Sequence, residues 1–143
     1  MKKSLVAACL LFVPSIGMNA VGFDWDRFLT ALQSVESGGV KNPDLAVGDN
    51  GKALGRYQLH KIYVDDAVGY DKTLRGTYKE IATHPIDSGR AVMAYLSRYR
   101  QADINSNNVE NLARCHNGGP NGHKKKATEK YWTKFKRIYD AIE

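Results

Sequence analysis

Cysteine is nearly absent from this chain: there are two in 143 residues, Cys9 and Cys115. Cys9 lies in an apolar stretch, Ser4 to Gly17, that follows the basic start Met1-Lys2-Lys3 and ends at the small-residue pattern Met18-Asn19-Ala20. That order reads as a secretory leader cleaved after Ala20, with an uncleaved anchor as the alternative. The stretch is short for a bilayer span and Pro14 interrupts it, so no stable membrane span is expected after cleavage. Val6-Ala7-Ala8-Cys9 lies too early in the stretch for a lipid acceptor. The expected organisation is a leader over residues 1–20 and one domain over 21–143. Only Cys115 then remains, which excludes an internal disulfide and leaves stability to a packed core. Repeats, linkers and low-complexity segments are also missing, as is any histidine spacing fit for a metal: His60, His84, His116 and His123 are scattered. No metal or cofactor is expected.

What is present is a modest excess of positive charge. The formal charge is +6, and removing Lys2 and Lys3 with the leader takes it to +4. Such a balance suits an anionic extracellular polymer, and by itself excludes neither nucleic acid nor a membrane surface. Lys124-Lys125-Lys126 reads as a solvated run with some attraction to such a polymer.

The apolar periodicity is mainly helical. Trp25, Phe28, Leu29, Leu32 and Val35 recur at three- and four-residue steps and predict a helix from about Trp25 to Ser37, stopped by Gly38-Gly39. Residues 40–56, with Pro43, Gly48, Gly51, Gly55 and Asp49-Asn50-Gly51, predict a turn or small hairpin. Further helices are expected from Tyr57 to Val68, with Leu59, Ile62, Tyr63 and Ala67 spaced for burial, and from Leu74 to Ala82. His84-Pro85 breaks the chain before a longer helix that starts at Asp87 or Ser88 and reaches about Arg100. A helix from Val109 to His116 stops at Asn117-Gly118-Gly119-Pro120. The last, Thr128 to Ile142, is expected to bury Trp132, Phe135, Ile138, Tyr139 and Ile142.

Glu36 sits where the first apolar stripe gives way to glycine. A carboxyl half-sheltered beside that stripe is expected to have its proton affinity raised by desolvation, as a general acid working near neutral pH requires. A solvated glutamate at a helix end is the plainer alternative. Cys115 and His116 do not form a thiol–imidazole pair, because adjacent helical residues point about 100° apart, and Cys115 reads as a small apolar residue.

Three separated pieces then line up: Glu36-Ser37-Gly38-Gly39; Gly55-Arg56-Tyr57-Gln58-Leu59 with Tyr63 and Asp66 beyond it; and His116-Asn117-Gly118-Gly119-Pro120-Asn121-Gly122. The ordered set resembles the lysozyme-like superfamily. The first two pieces are similar to soluble lytic transglycosylases. All three, with Thr128 and Tyr131-Trp132, resemble invertebrate-type (destabilase) lysozymes and their bacterial relatives over about residues 25 to 135. Gly39, Leu54, Ala67 and His123 stand where that family carries cysteines, so the likeness is to the glycosidase core without its disulfides.

The resemblance implies a mainly α, lysozyme-like α+β fold with a small hairpin or irregular loop after the first helix and a groove between the two parts. It implies an exported glycosidase acting on peptidoglycan glycan strands, with no nucleic acid expected. Glu36 matches the acid. Asp49, thirteen residues after it and six before Gly55, matches the second carboxylate, although turn chemistry alone also accounts for an aspartate there. Asp44 reads as a turn residue after Pro43. Gln58 is expected to line the groove and bond sugar hydroxyls or N-acetyl groups through both amide ends. Tyr57 either packs in the core or stacks on a sugar. Tyr63 matches a family aromatic, with spacing that favours core burial, and Asn117 matches a loop facing the acid. Two outcomes follow for a cleaved strand: hydrolysis helped by Asp49, or closure of a 1,6-anhydro ring with Glu36 alone as acid and base. A binding module that keeps the groove without turnover is the alternative of another class, and isopeptidase action has no serine–histidine arrangement to support it.

Overall fold

A computed structural model describes residues 22–143 of the chain; the leader expected over residues 1–20 lies outside the described residues. The first helix, α1, spans Trp25–Ser37. Asp24 caps it by accepting a hydrogen bond from the Arg27 N–H at 3.0 Å. Its apolar stripe buries Phe28, Ala31, Leu32 and Val35, as the spacing predicts. Gly38 and Gly39 end it: Gly39 takes φ +85°, and a Cβ at Gly38 would stand 2.3 Å from the Ser34 carbonyl oxygen.

The predicted hairpin is a two-stranded antiparallel ribbon, β1 (Val47–Gly48) against β2 (Ala53–Leu54), with Val47 opposite Leu54 and Gly48 opposite Ala53. Asp49 and Asn50 turn the chain with φ of +44° and +52°, the left-handed region that Asn and Asp tolerate best after glycine.

The second helix, α2, spans Lys61–Tyr70, four residues later than the expected start at Tyr57. Residues 55–59 instead form a turn. Gly55 and Gln58 both take positive φ, and Leu54 and Leu59 exchange backbone hydrogen bonds at 3.0 and 2.9 Å. With that phase, Tyr63 and Ala67 go to the core, while Ile62 is 74% exposed, against the burial expected of it. The third helix, α3, is shorter than expected, Tyr78–Thr83, and starts on a capping box between Thr77 and Glu80. The fourth, α4, runs Asp87–Asn105, past the predicted end at Arg100, where the backbone departs from helical geometry without stopping. The fifth, α5, spans Val109–Gly118, and the sixth, α6, Glu129–Ala141.

Helix α4 packs against α2, α3 and α5, and α1 packs against α6. The α1–α6 seam closes on Phe28 and Phe135, both fully buried with ring centroids 5.2 Å apart. Burying two such rings contributes about 1.5–3 kcal/mol each. On α6 only Phe135 is fully buried; Trp132, Ile138, Tyr139 and Ile142 pack partly exposed around it. The seam matters for the site, because it lays α6 along the end of α1 that carries Glu36. Among the described residues, no helix is long and apolar enough to cross a membrane.

Candidate active site

A cavity of about 630 Å³ opens between the hairpin, the start of α2 and the end of α5. Glu36 enters it from the last turn of α1, Asp49 from the hairpin, Gln58 and His60 from the turn before α2, and Asn117 from the last turn of α5. Tyr63 and Asp66 line it from α2, and Tyr95 from α4, its ring stacked on Tyr63 at 3.7 Å between centroids.

The end of α1 is held from two sides. Ser37, buried directly after Glu36, donates its hydroxyl to the Arg56 carbonyl at 2.9 Å and so ties the helix to the 55–59 turn. From α6, the Lys134 ammonium donates to the Val35 carbonyl at 3.0 Å. A cation at the carbonyl end of a helix satisfies an orphan acceptor and opposes the dipole.

The Glu36 side chain is 17% exposed. Its Oε1 accepts the Tyr131 hydroxyl at 2.7 Å and lies 3.5 Å from His116 Nε2. Burial is the largest single influence on its proton affinity and acts upward. Hydrogen bonding and charge from His116, the Tyr131 hydroxyl and the Lys134 charge together act downward and win, so the carboxyl sits below the ordinary glutamate range. The expectation of a raised value is corrected here. It counted shelter alone, and the donors that outweigh shelter come from α5 and α6.

His116 is a wedge between three groups. Its Nε2 lies 3.2 Å from the Tyr57 carbonyl oxygen, which only accepts, so that nitrogen carries a proton. Its Nδ1 meets the Tyr63 hydroxyl at 2.9 Å. Tyr63 therefore belongs to core and cavity together: its ring is nearly buried, its hydroxyl orients His116, and burial pushes its own proton affinity well up. Tyr57 differs. Its ring is 5% exposed within the core and does not line the cavity, so the sugar-stacking option is corrected to core packing; only its backbone carbonyl serves the site.

Asp49 is half exposed and pairs at 3.4 Å with His60 Nε2, an equally exposed partner. Such a pair contributes little to stability, which leaves the carboxylate accessible in the cavity it shares with Glu36. Asp44 faces away from this chemistry, since it holds Arg56 in a two-pronged ion pair at 2.5 and 2.8 Å. Gln58 lines the cavity with one amide hydrogen already donated to the Gly55 carbonyl at 2.9 Å. Its oxygen lies over Gly48, where a Cβ would approach it to 2.1 Å. One N–H and the carbonyl oxygen therefore remain for a ligand, fewer than the two free amide ends expected. Asn117 is exposed at the rim, and Gly119 after it takes φ +86°.

Cys115 packs fully buried, its thiol pushed up to about 12 by burial. Among the described residues, no three or more His, Cys, Asp or Glu side chains converge as metal ligands would.

The structure adds residues the sequence reading did not assign. Tyr131 and Lys134 reach the end of α1 from α6, and the hydroxyl of Tyr99 holds Asp66 at 2.8 Å in the cavity wall. One signal for Tyr131 was present. It shares the α6 face of Phe135 and Ile138 at helical spacing, and a tyrosine facing a core needs a partner for its hydroxyl.

The Destabilase family model matches residues 28–138. Lysozyme 1 of Crassostrea virginica is 35% identical over 83 residues, covering 58% of this chain and 43% of that protein. The lysozyme of Ostrea edulis is 29% identical over 136 residues, 95% of this chain and 94% of that one. The crystal structure of Tapes japonica lysozyme superposes with a TM-score of 0.66 at 28% identity, over 82% of this chain and 94% of that chain.

Proposed function

The chain belongs to the destabilase family of lysozyme-like glycoside hydrolases, and from that premise we propose that it is an exported muramidase. The bond cleaved is the β-1,4 linkage between N-acetylmuramic acid and N-acetylglucosamine in peptidoglycan. The observation that carries this reading is the position of Glu36: a sheltered carboxyl with donors behind it, in a cavity that also holds a second, accessible carboxylate, Asp49.

Glycoside cleavage needs a proton for the departing oxygen and stabilisation of positive charge at the anomeric carbon. Glu36 supplies the first. In the free protein its lowered proton affinity leaves it largely ionised at neutral pH. A glycan strand filling the cavity removes water and adds to the burial that already acts upward, so the acid is loaded as the substrate seats. Asp49 supplies the second, either by supporting the cation or by attacking it before water completes the reaction. Gln58 and Asn117 offer the neutral polar groups that fix a sugar's orientation. The leader expected over residues 1–20 supports export.

The test is digestion of purified peptidoglycan with mass analysis of the fragments, for the wild-type protein, Glu36→Gln and Asp49→Asn. Reducing ends, lost in Glu36→Gln and reduced at least tenfold in Asp49→Asn, are the expected result. Anhydro ends, with Asp49→Asn as active as wild type, would replace hydrolysis by the transglycosylase route. Binding without any cleavage by the wild-type protein would leave only a glycan-binding module.

A further inference from the structure

Tyr131 touches the acid without lining the cavity. It comes from α6, behind Glu36, and packs partly buried against the core. The two oxygens of Glu36 are thereby made unequal. Oε1 accepts the Tyr131 hydroxyl at 2.7 Å and lies 3.5 Å from His116 Nε2, whereas no described residue hydrogen-bonds Oε2.

We propose that Tyr131 is a positioning residue that, with His116, assigns the two oxygens of Glu36 their roles: Oε1 as the permanent acceptor, Oε2 as the oxygen that carries and delivers the proton. The inference builds on Glu36 as the general acid. A protonated carboxyl places its hydrogen on the oxygen that is not already accepting a strong donor, and that oxygen is Oε2. In the step itself, the proton passes from Oε2 to the glycosidic oxygen while the bond from that oxygen to the anomeric carbon breaks. The bonding pair stays with the departing oxygen, and Glu36 is left as a carboxylate. The Tyr131 hydrogen bond strengthens as that charge arrives, because a donor binds an ionised acceptor about twice as strongly as a neutral one. It therefore favours the transition state over the ground state, which is the condition for raising turnover instead of affinity.

The groups facing Glu36 are Tyr131 and Lys134 from α6, His116 from α5 and Tyr63 from α2, with Asp49 sharing the cavity from the hairpin. Lys134 bonds the α1 backbone at Val35 and reaches Glu36 by charge alone, and Tyr63 acts through His116. Tyr131 is thus the one neutral donor in direct contact whose removal leaves the local charges unchanged.

The experiment compares peptidoglycan hydrolysis by wild-type protein, Tyr131→Phe and Glu36→Gln from pH 3 to 8, with kcat and KM separated. In Tyr131→Phe, kcat falls about tenfold and KM stays within twofold. The alkaline limb of the pH profile moves up by about one pH unit, the scale of one lost hydrogen bond to a charged group. A second variant carries 3,5-difluorotyrosine at position 131, a stronger donor of nearly the same shape, and its limb moves down. This arm decides the matter even where Tyr131→Phe folds poorly. Unchanged kcat and unchanged limbs in folded Tyr131 variants, with Glu36→Gln inactive, overturn the assignment of Tyr131 alone. A fully active Glu36→Gln removes the general acid itself, and the role of Tyr131 with it.

Discussion

Gly55 is the position where a single methyl group has the largest consequence that the structure lets one work out. Its φ of +74° is one an L side chain rarely adopts, and a Cβ there would lie 1.8 Å from the Ala82 carbonyl oxygen at the end of α3. Gly55→Ala therefore carries a left-handed strain of about 1–2 kcal/mol and displaces rigid backbone, an overpacking cost of about 1–3 kcal/mol. The displaced peptide also anchors three hydrogen bonds, from its N–H to Ala46 at 2.8 Å and to its carbonyl from both nitrogens of Gln58 at 3.0 and 2.9 Å. Weakening them adds about 1 kcal/mol or more. A loss of about 3–6 kcal/mol consumes much of the ~5–15 kcal/mol by which a domain is stable, and at about 4 °C per kcal/mol lowers the melting temperature by about 12–24 °C. Gly39→Ala is the matched control: its φ is +85°, with nothing within 4 Å of the added Cβ, so it bears strain alone, about 1–2 kcal/mol. Equilibrium unfolding in urea, followed by tryptophan fluorescence, measures both. Equal losses in the two variants would show that strain alone matters and that the approach to Ala82 does not.

The lowered proton affinity of Glu36 gives two pH effects. Its contribution to stability is full above the unfolded-state value and is lost as pH falls through the lower folded-state value, so the stability difference between wild type and Glu36→Gln narrows at acid pH in calorimetric melts. In kinetics, the alkaline limb of kcat/KM, which reports free protein, lies at lower pH than that of kcat, which reports the loaded cavity. Cys115, buried and with its thiol pushed up to about 12, stays unreactive to a disulfide reagent at pH 8 in the folded domain over residues 21–143 and gives one equivalent after denaturation.

The helical scaffold was legible where the signal is local. The α1 stripe, the Gly38-Gly39 stop and the Asp49-Asn50-Gly51 turn each follow from neighbours in the chain. Failures cluster where distant contacts decide. Gln58 takes a positive φ because the Leu54–Leu59 bridge closes a tight turn, and nothing in a glutamine announces that. The later start of α2 follows from the same bridge, and Ile62 goes to the cavity rim in place of the core. For the site, the order of motifs brought Glu36, Asp49, Gln58, Tyr63 and Asn117 to one cavity. The direction of the Glu36 shift was not readable, because the hydroxyl that helps to set it lies 95 residues away in sequence.

That separation bears on how the site is completed. The acid belongs to the first helix of the domain, and the hydroxyl and ammonium that hold its end belong to the last. A polypeptide cut before α6 therefore holds the Glu36 carboxyl without the hydroxyl and ammonium that set it. The Glu36 carboxyl has its full setting only when α6 is packed along α1, so the two ends of the described fold are joined at the candidate site.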